Sequence, residues 1–142
     1  MMYRKIMVPV DLAHIELIEP ALETVADLAR HYKAEVCYVG ITSSAPGSVA
    51  HTPKEFGEKL DAFAQKRHRV HGQPVSTHTV VSPDPIAEID DRLIRAIDEV
   101  GADLVVMPTH PPSHLDVIMP SHGGKVAKHT DASVFLVRPR NA

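Results

Sequence analysis

Ala102-Asp-Leu-Val-Val-Met-Pro-Thr-His-Pro-Pro112, Ile118-Met-Pro-Ser-His-Gly-Gly-Lys-Val-Ala-Lys-His129 and Ser133-Val-Phe-Leu-Val-Arg138 decide how this chain folds. Leu104 to Met107 is a short, unbroken apolar run, as in a strand buried on both faces. Ser121 to His129 predicts a short helix, and Val134 to Val137 a closing strand. A strand, a loop, a helix and a strand make a parallel crossover. The loop before that helix sits where a phosphate cradle usually carries glycines, yet prolines stand at positions 108, 111, 112 and 120.

The same alternation extends back to the N-terminus. Ile6 to Val10 predicts a buried strand with Pro9 near its end, where a missing N–H costs least. A helix follows with Pro20 expected in its first turn. Its apolar face is Ile18, Leu22, Val25, Leu28, Ala29 and Tyr32, at helical spacing. Val36 to Ile41 is a second strand, and Thr42 to His51 a loop rich in Ser, Gly and Pro. Thr52-Pro-Lys-Glu55 predicts a capping box opening a helix whose inner side is Phe56, Leu60, Phe63, Arg67 and Val70. Pro74 to Val81 is a less apolar strand, expected near an edge. Asp84-Pro85 caps a third helix with the face Ile86, Ile89, Leu93, Ile97 and Val100, which Gly101 ends.

Five strands alternating with four helices predict an α/β fold: a three-layer, open, five-stranded parallel sheet with helices on both faces, Rossmann-like. The 142 residues suit a single domain over 1–142. The hydrophobic fraction of 44% and the charged fraction of 23% are ordinary for a globular chain. A net charge of −3 gives no footprint for nucleic acid and no basic membrane patch. The lone Cys37 lies in an apolar run and reads as a small buried hydrophobe. With no signal peptide or long apolar run, the expected location is cytoplasmic.

In open parallel sheets, ligands bind beyond the carboxyl ends of the strands, where strand order reverses. Asp11 ends the first strand and Pro108 the fourth, so both would face one crevice if those strands are neighbours. Here the chain resembles the universal stress protein family along nearly its whole length. The most specific parts are Ile6-Met-Val-Pro-Val-Asp11, Ala102-Asp-Leu-Val-Val-Met107, Pro120-Ser121 with the following helix, and Ser133-Val-Phe-Leu-Val-Arg138. The resemblance implies a small stress-response protein binding ATP or AMP, with Mg as a possible companion, as a switch or sensor. It implies that Asp11 contacts the nucleotide or its metal. Pro9 and Ile41 match positions lining the adenine pocket, Met107 matches the residue before the loop, and Ser121 matches a serine on phosphate. The binding set is completed by Val10, Pro108, Thr109, His110, Pro120, His122 and Gly123. The resemblance also implies a homodimer through the strand Val134–Val137. The alternative is a member of the same fold that binds no nucleotide and acts through dimerisation or a protein partner.

The loop departs from the family pattern. Its glycines correspond to Pro108, Pro111 and Pro120, and its length resembles a short-loop subgroup with a proline at the place of Pro112. Proline lacks an N–H and cannot adopt positive φ, so Pro120 removes one candidate phosphate donor. The amides of Ser121, His122, Gly123 and Gly124 remain. One charge-assisted bond is worth about 1.5–3 kcal/mol, so its loss weakens a site about ten- to a hundredfold. His110 and His114 are spaced for zinc on a helix, but Pro111 and Pro112 lie between them, and no metal site is expected. His110 could act as a base, but no committed acid, base or nucleophile stands out. A binding module with at most slow ATP hydrolysis is therefore expected.

Overall fold

The computed structural model describes residues 2–109 and 122–138, and of Ile86, His122 and Gly123 only the backbone. The elements are β1 (Lys5–Pro9), α1 (Ile15–Tyr32), β2 (Glu35–Ser43), α2 (Pro53–His71), β3 (Val75–Ser82), α3 (Pro85–Val100), β4 (Leu104–Pro108), α4 (His122–Lys128) and β5 (Ser133–Val137). The five strands form one parallel sheet in the order β3-β2-β1-β4-β5. The three central strands are almost wholly buried, whereas β3 and β5 at the edges are mostly half-exposed.

Successive residues of each central strand point to opposite faces. Ile6, Val8, Val36, Tyr38, Leu104 and Val106 pack with Ile18, Leu22, Val25, Phe56 and Leu60 of α1 and α2. Met7, Cys37, Val39, Val105 and Met107 pack with Leu93 and Ile97 of α3 and Val126 of α4. The sheet thus divides two apolar cores, and continuous runs such as Leu104 to Met107 feed both. Val126 is the one buried residue among the described side chains of α4. Cys37 is 2% exposed, and burial pushes its thiol up.

The caps follow the sequence closely. Thr52 Oγ1 accepts from the Glu55 amide at 3.1 Å, and Asp84 Oδ1 from the Ala87 amide at 3.2 Å. Each helix has proline in its first turn. Gly72 and Gly101 close them in the left-handed region, at φ 77° and 71°. Asp103 fastens the start of β4 to β1, its carboxylate accepting from the amides of Arg4 (3.0 and 3.2 Å) and Lys5 (3.1 Å).

Two expectations need correction. Pro20 lies inside α1, beyond its first turn, because the helix begins at Ile15. The turn at Asp11 starts it early: the Asp11 carbonyl accepts from His14 N at 3.0 Å, and the His14 carbonyl from Leu17 N at 3.1 Å. Val70 does not face inward and is 53% exposed. The inner stripe of α2 is Phe56, Leu60, Ala64 and, at its end, His71. His71 is only 3% exposed and its Nε2 lies 3.2 Å from the Tyr38 hydroxyl.

Candidate functional site

Strand order reverses between β1 and β4, which are adjacent and parallel. The β1–β2 ladder pairs five residues, Lys5 to Pro9 with Glu35 to Val39, but the β1–β4 ladder pairs only Ile6 with Leu104 and Met7 with Val105. Pro9 explains the difference. In a parallel ladder the N–H groups of successive residues point to opposite neighbours. Val10 N bonds the Val39 carbonyl of β2 at 2.8 Å, so the preceding position, Pro9, faces β4. It has no N–H with which to extend that ladder. The paired ladder stops before Pro9, at the point where strand order reverses and where ligands bind in open parallel sheets.

Several of the expected residues lie at the carboxyl ends of the central strands. Pro9 and Pro108 are the half-buried last residues of β1 and β4, and Ile41 is half-buried near the end of β2. Thr109 is tied to β5, its amide bonding the Val137 carbonyl at 2.8 Å and its hydroxyl reaching the same oxygen at 3.4 Å. Val10 and Met107 are 6% and 4% exposed, with side chains in opposite cores. They present little side-chain surface at the strand ends. His110, Pro120 and Ser121 lie outside the described residues, as does most of the proline loop. His122 and Gly123 open α4.

Asp11 follows β1 and is exposed. Its Oδ1 accepts from the Ala13 amide at 3.0 Å, and its Oδ2 lies 2.9 Å from His14 Nδ1. The hydrogen bond and the negative charge of Asp11 together hold the His14 imidazole above its usual range.

An open recess of about 430 Å³ adjoins this turn, lined by Leu12, Ala13, Ser48, Val49 and Lys59. That is within the size range of small-molecule sites. Lys59 Nζ donates to the Val49 carbonyl and lies 3.4 Å from Glu55 Oε1. The sequence reading missed Lys59 and His14. The Glu55–Lys59 spacing signals a helix pair, but nothing in the sequence places that lysine against the Ser48-Val49 loop. His14 offered only its distance of three residues from Asp11.

The model of the universal stress protein family matches residues 2–138. The chain belongs to the universal stress protein family. It is 25% identical over 146 residues to universal stress protein G of Shigella flexneri, covering 96% of this chain and 100% of that protein. Among solved structures it is similar to a universal stress protein family member from Burkholderia pseudomallei, with 25% identity, a TM-score of 0.69 and 96% of each chain covered. A universal stress protein from Archaeoglobus fulgidus in complex with dAMP is 23% identical, with a TM-score of 0.64, covering 96% of this chain and 99% of that one. A family protein from Arabidopsis thaliana with AMP bound is 18% identical, with a TM-score of 0.67, covering 98% and 93%. These universal stress proteins share the Rossmann-like α/β architecture. Among the described residues, no helix is long and apolar enough to cross a membrane.

Proposed function

We propose that this universal stress protein binds an adenine nucleotide, ATP or AMP, in the crevice between β1 and β4 and acts as a switch or sensor rather than as a committed enzyme. The observation that carries this reading is the reversal of strand order between β1 and β4, where the ladder stops before Pro9 and the chain runs on to the exposed Asp11 carboxylate. Structural relatives holding dAMP and AMP give the ligand class. In this reading Asp11 orients the ribose or a magnesium ion, and Pro9 and Ile41 flank the adenine. Ser121 holds the phosphates with its hydroxyl and amide, and His122 and Gly123 with their amides, since Pro120 has no N–H to give. The whole chain acts as one cytoplasmic domain.

Isothermal titration of the purified protein with ATP and magnesium tests it. Saturable heat below millimolar nucleotide is expected, and no heat at millimolar nucleotide overturns the proposal. Pro120→Gly restores a donor and should tighten binding, whereas Ser121→Ala should weaken it about tenfold, the worth of one such bond.

A second component rests on β5. Phe135 and Leu136 are 44% and 39% exposed on this edge strand. An open apolar edge invites pairing, and we infer that β5 pairs with its copy in a homodimer. If the titration is silent, this surface carries the function of a member of the family that binds no nucleotide.

A further inference from the structure

We propose that the adjoining carboxyl ends of α1 and α2 form a docking surface for a short acidic segment of a partner protein. Lys33, Lys66 and Arg69 take its carboxylates, and Val70 takes an apolar side chain. The surface lies at the amino ends of the strands, opposite the end where Asp11 stands, and is independent of nucleotide binding.

Net charge hides this surface. The chain as a whole carries −3, yet between Asp61 and Asp84 it has Lys66, Arg67 and Arg69 and no acidic residue. α1 likewise ends in Arg30 and His31, with Lys33 as its cap. Each helix crosses from the carboxyl end of one parallel strand to the amino end of the next, so both basic ends arrive together. Arg30 Nη1 donates to the Val70 carbonyl at 3.2 Å and joins them. Burial, and then the charges of Arg67, His68 and Arg30, push the His71 imidazole down to about 4. Groups from both helices therefore put their field on one place.

Cations at a helix carboxyl end often do no more than complement the dipole, and some of these serve the fold. Arg30 also pairs with Asp27 at 3.2 Å, Arg67 Nη2 reaches the Leu22 carbonyl at 3.5 Å, and His68 Nδ1 lies 2.7 Å from the Gln73 carbonyl. The side chains of Lys33, Lys66 and Arg69 are left over. All three are exposed and have no hydrogen-bond or ion-pair partner among the described residues. Val70, next to Arg69, is 53% exposed.

The shape of the charge selects the partner. Two packed helices span about 20 Å, the length of about six extended residues. On the other face of the sheet, α3 finishes at the same end with exposed Asp98 and Glu99 and no basic residue in its last turn. A membrane or a nucleic-acid duplex laid across this end would meet those carboxylates. A short peptide stays on the basic half, and it can set an apolar side chain on Val70, which a phosphate backbone cannot.

The test is fluorescence anisotropy with the whole chain and no nucleotide. The probe is a labelled glutamate peptide of about seven residues with a central leucine, compared with the same peptide carrying serine there. Saturable binding is expected at low salt, weaker at about 0.15 M salt, where the Debye length is about 8 Å. The combined variant Lys33→Gln, Lys66→Gln, Arg69→Gln should bind about three- to a hundredfold more weakly, each exposed pair being worth up to about fivefold. Its urea unfolding should match the wild type, since all three side chains are exposed. Val70→Ser should weaken the leucine peptide and leave the serine peptide unchanged. No binding by the wild type at low salt, or equal affinity in the wild type and the combined variant, overturns the surface. Equal affinity of the wild type for both peptides overturns the role of Val70. Tighter binding of a DNA duplex, or of phosphatidylserine–phosphatidylcholine vesicles, overturns the partner class.

Discussion

Acid should unfold this protein partly through a single buried imidazole. His71 ends α2 with its ring almost sealed from solvent. Gln73 N donates to its Nδ1 at 3.0 Å, which leaves the proton on Nε2, facing the Tyr38 hydroxyl at 3.2 Å. Protonating Nδ1 would set two donors against each other. Burial, and then the nearby charges of Arg67, His68 and Arg30, lower the pKa of His71 from 6.5 to about 4. The native state thus refuses a proton that the unfolded chain accepts, so stability from this group is complete above pH 6.5 and is lost as pH falls towards about 4. The slope is about 1.4 kcal/mol per pH unit, or about 3 kcal/mol over the window. That is a large share of the 5–15 kcal/mol that usually holds a domain together. Urea unfolding followed by circular dichroism, from about pH 7 to about pH 4.5, should show this slope in the wild type. His71→Gln keeps a neutral polar group but cannot be charged. It should lose about 1–3 kcal/mol at neutral pH, from the unpaired Gln73 amide, and should be less acid-sensitive. The two stability curves should therefore approach each other on acidification. Curves that stay parallel to the lowest pH would refute the reasoning, as would a His71 ring titrating near its ordinary value by NMR.

Other expectations are more local. Gly40→Ala places a methyl 2.6 Å from the Phe56 ring and 3.3 Å from Leu60; overpacking of this kind should cost about 1–3 kcal/mol in urea unfolding. Asp103→Ala strips the Arg4 and Lys5 amides of their shared acceptor, and a loss of about 1–3 kcal/mol is expected in the same assay. Phe135→Lys on β5 should convert the proposed dimer to a monomer in light scattering without changing the unfolding free energy of the monomer by more than about 0.5 kcal/mol.

The legible parts of the fold were those where local chemistry and global position agree. Asp84 and Gly101 bracket α3 because an acceptor is needed at one end and a positive φ at the other. Leu104 to Met107 announced a central strand because both of its faces are covered. Pro20 misled because proline favours a first turn in isolation, whereas the Asp11 turn had already begun the helix. His71 escaped because a polar residue at a helix end reads as exposed; only its meeting with Tyr38, 33 positions away in sequence, makes burial tolerable. Near the strand-order reversal, the exposure of Asp11 could be read from its place after a strand end. The placement of His14 against Asp11 and of Lys59 against Val49 could not, because it depends on which way a loop turns.

For the proposed switch, the one buried anchor among the described side chains of α4 has a consequence. One fully buried valine contributes about 1.5–3 kcal/mol, so α4 is an element that can detach locally at small cost while the central strands stay intact. It leads into β5. A ligand that fastened α4 would slow amide exchange there and stiffen the strand that follows. Occupancy of the crevice would then be reported at the far edge of the sheet through a change in local opening, without any change in shape.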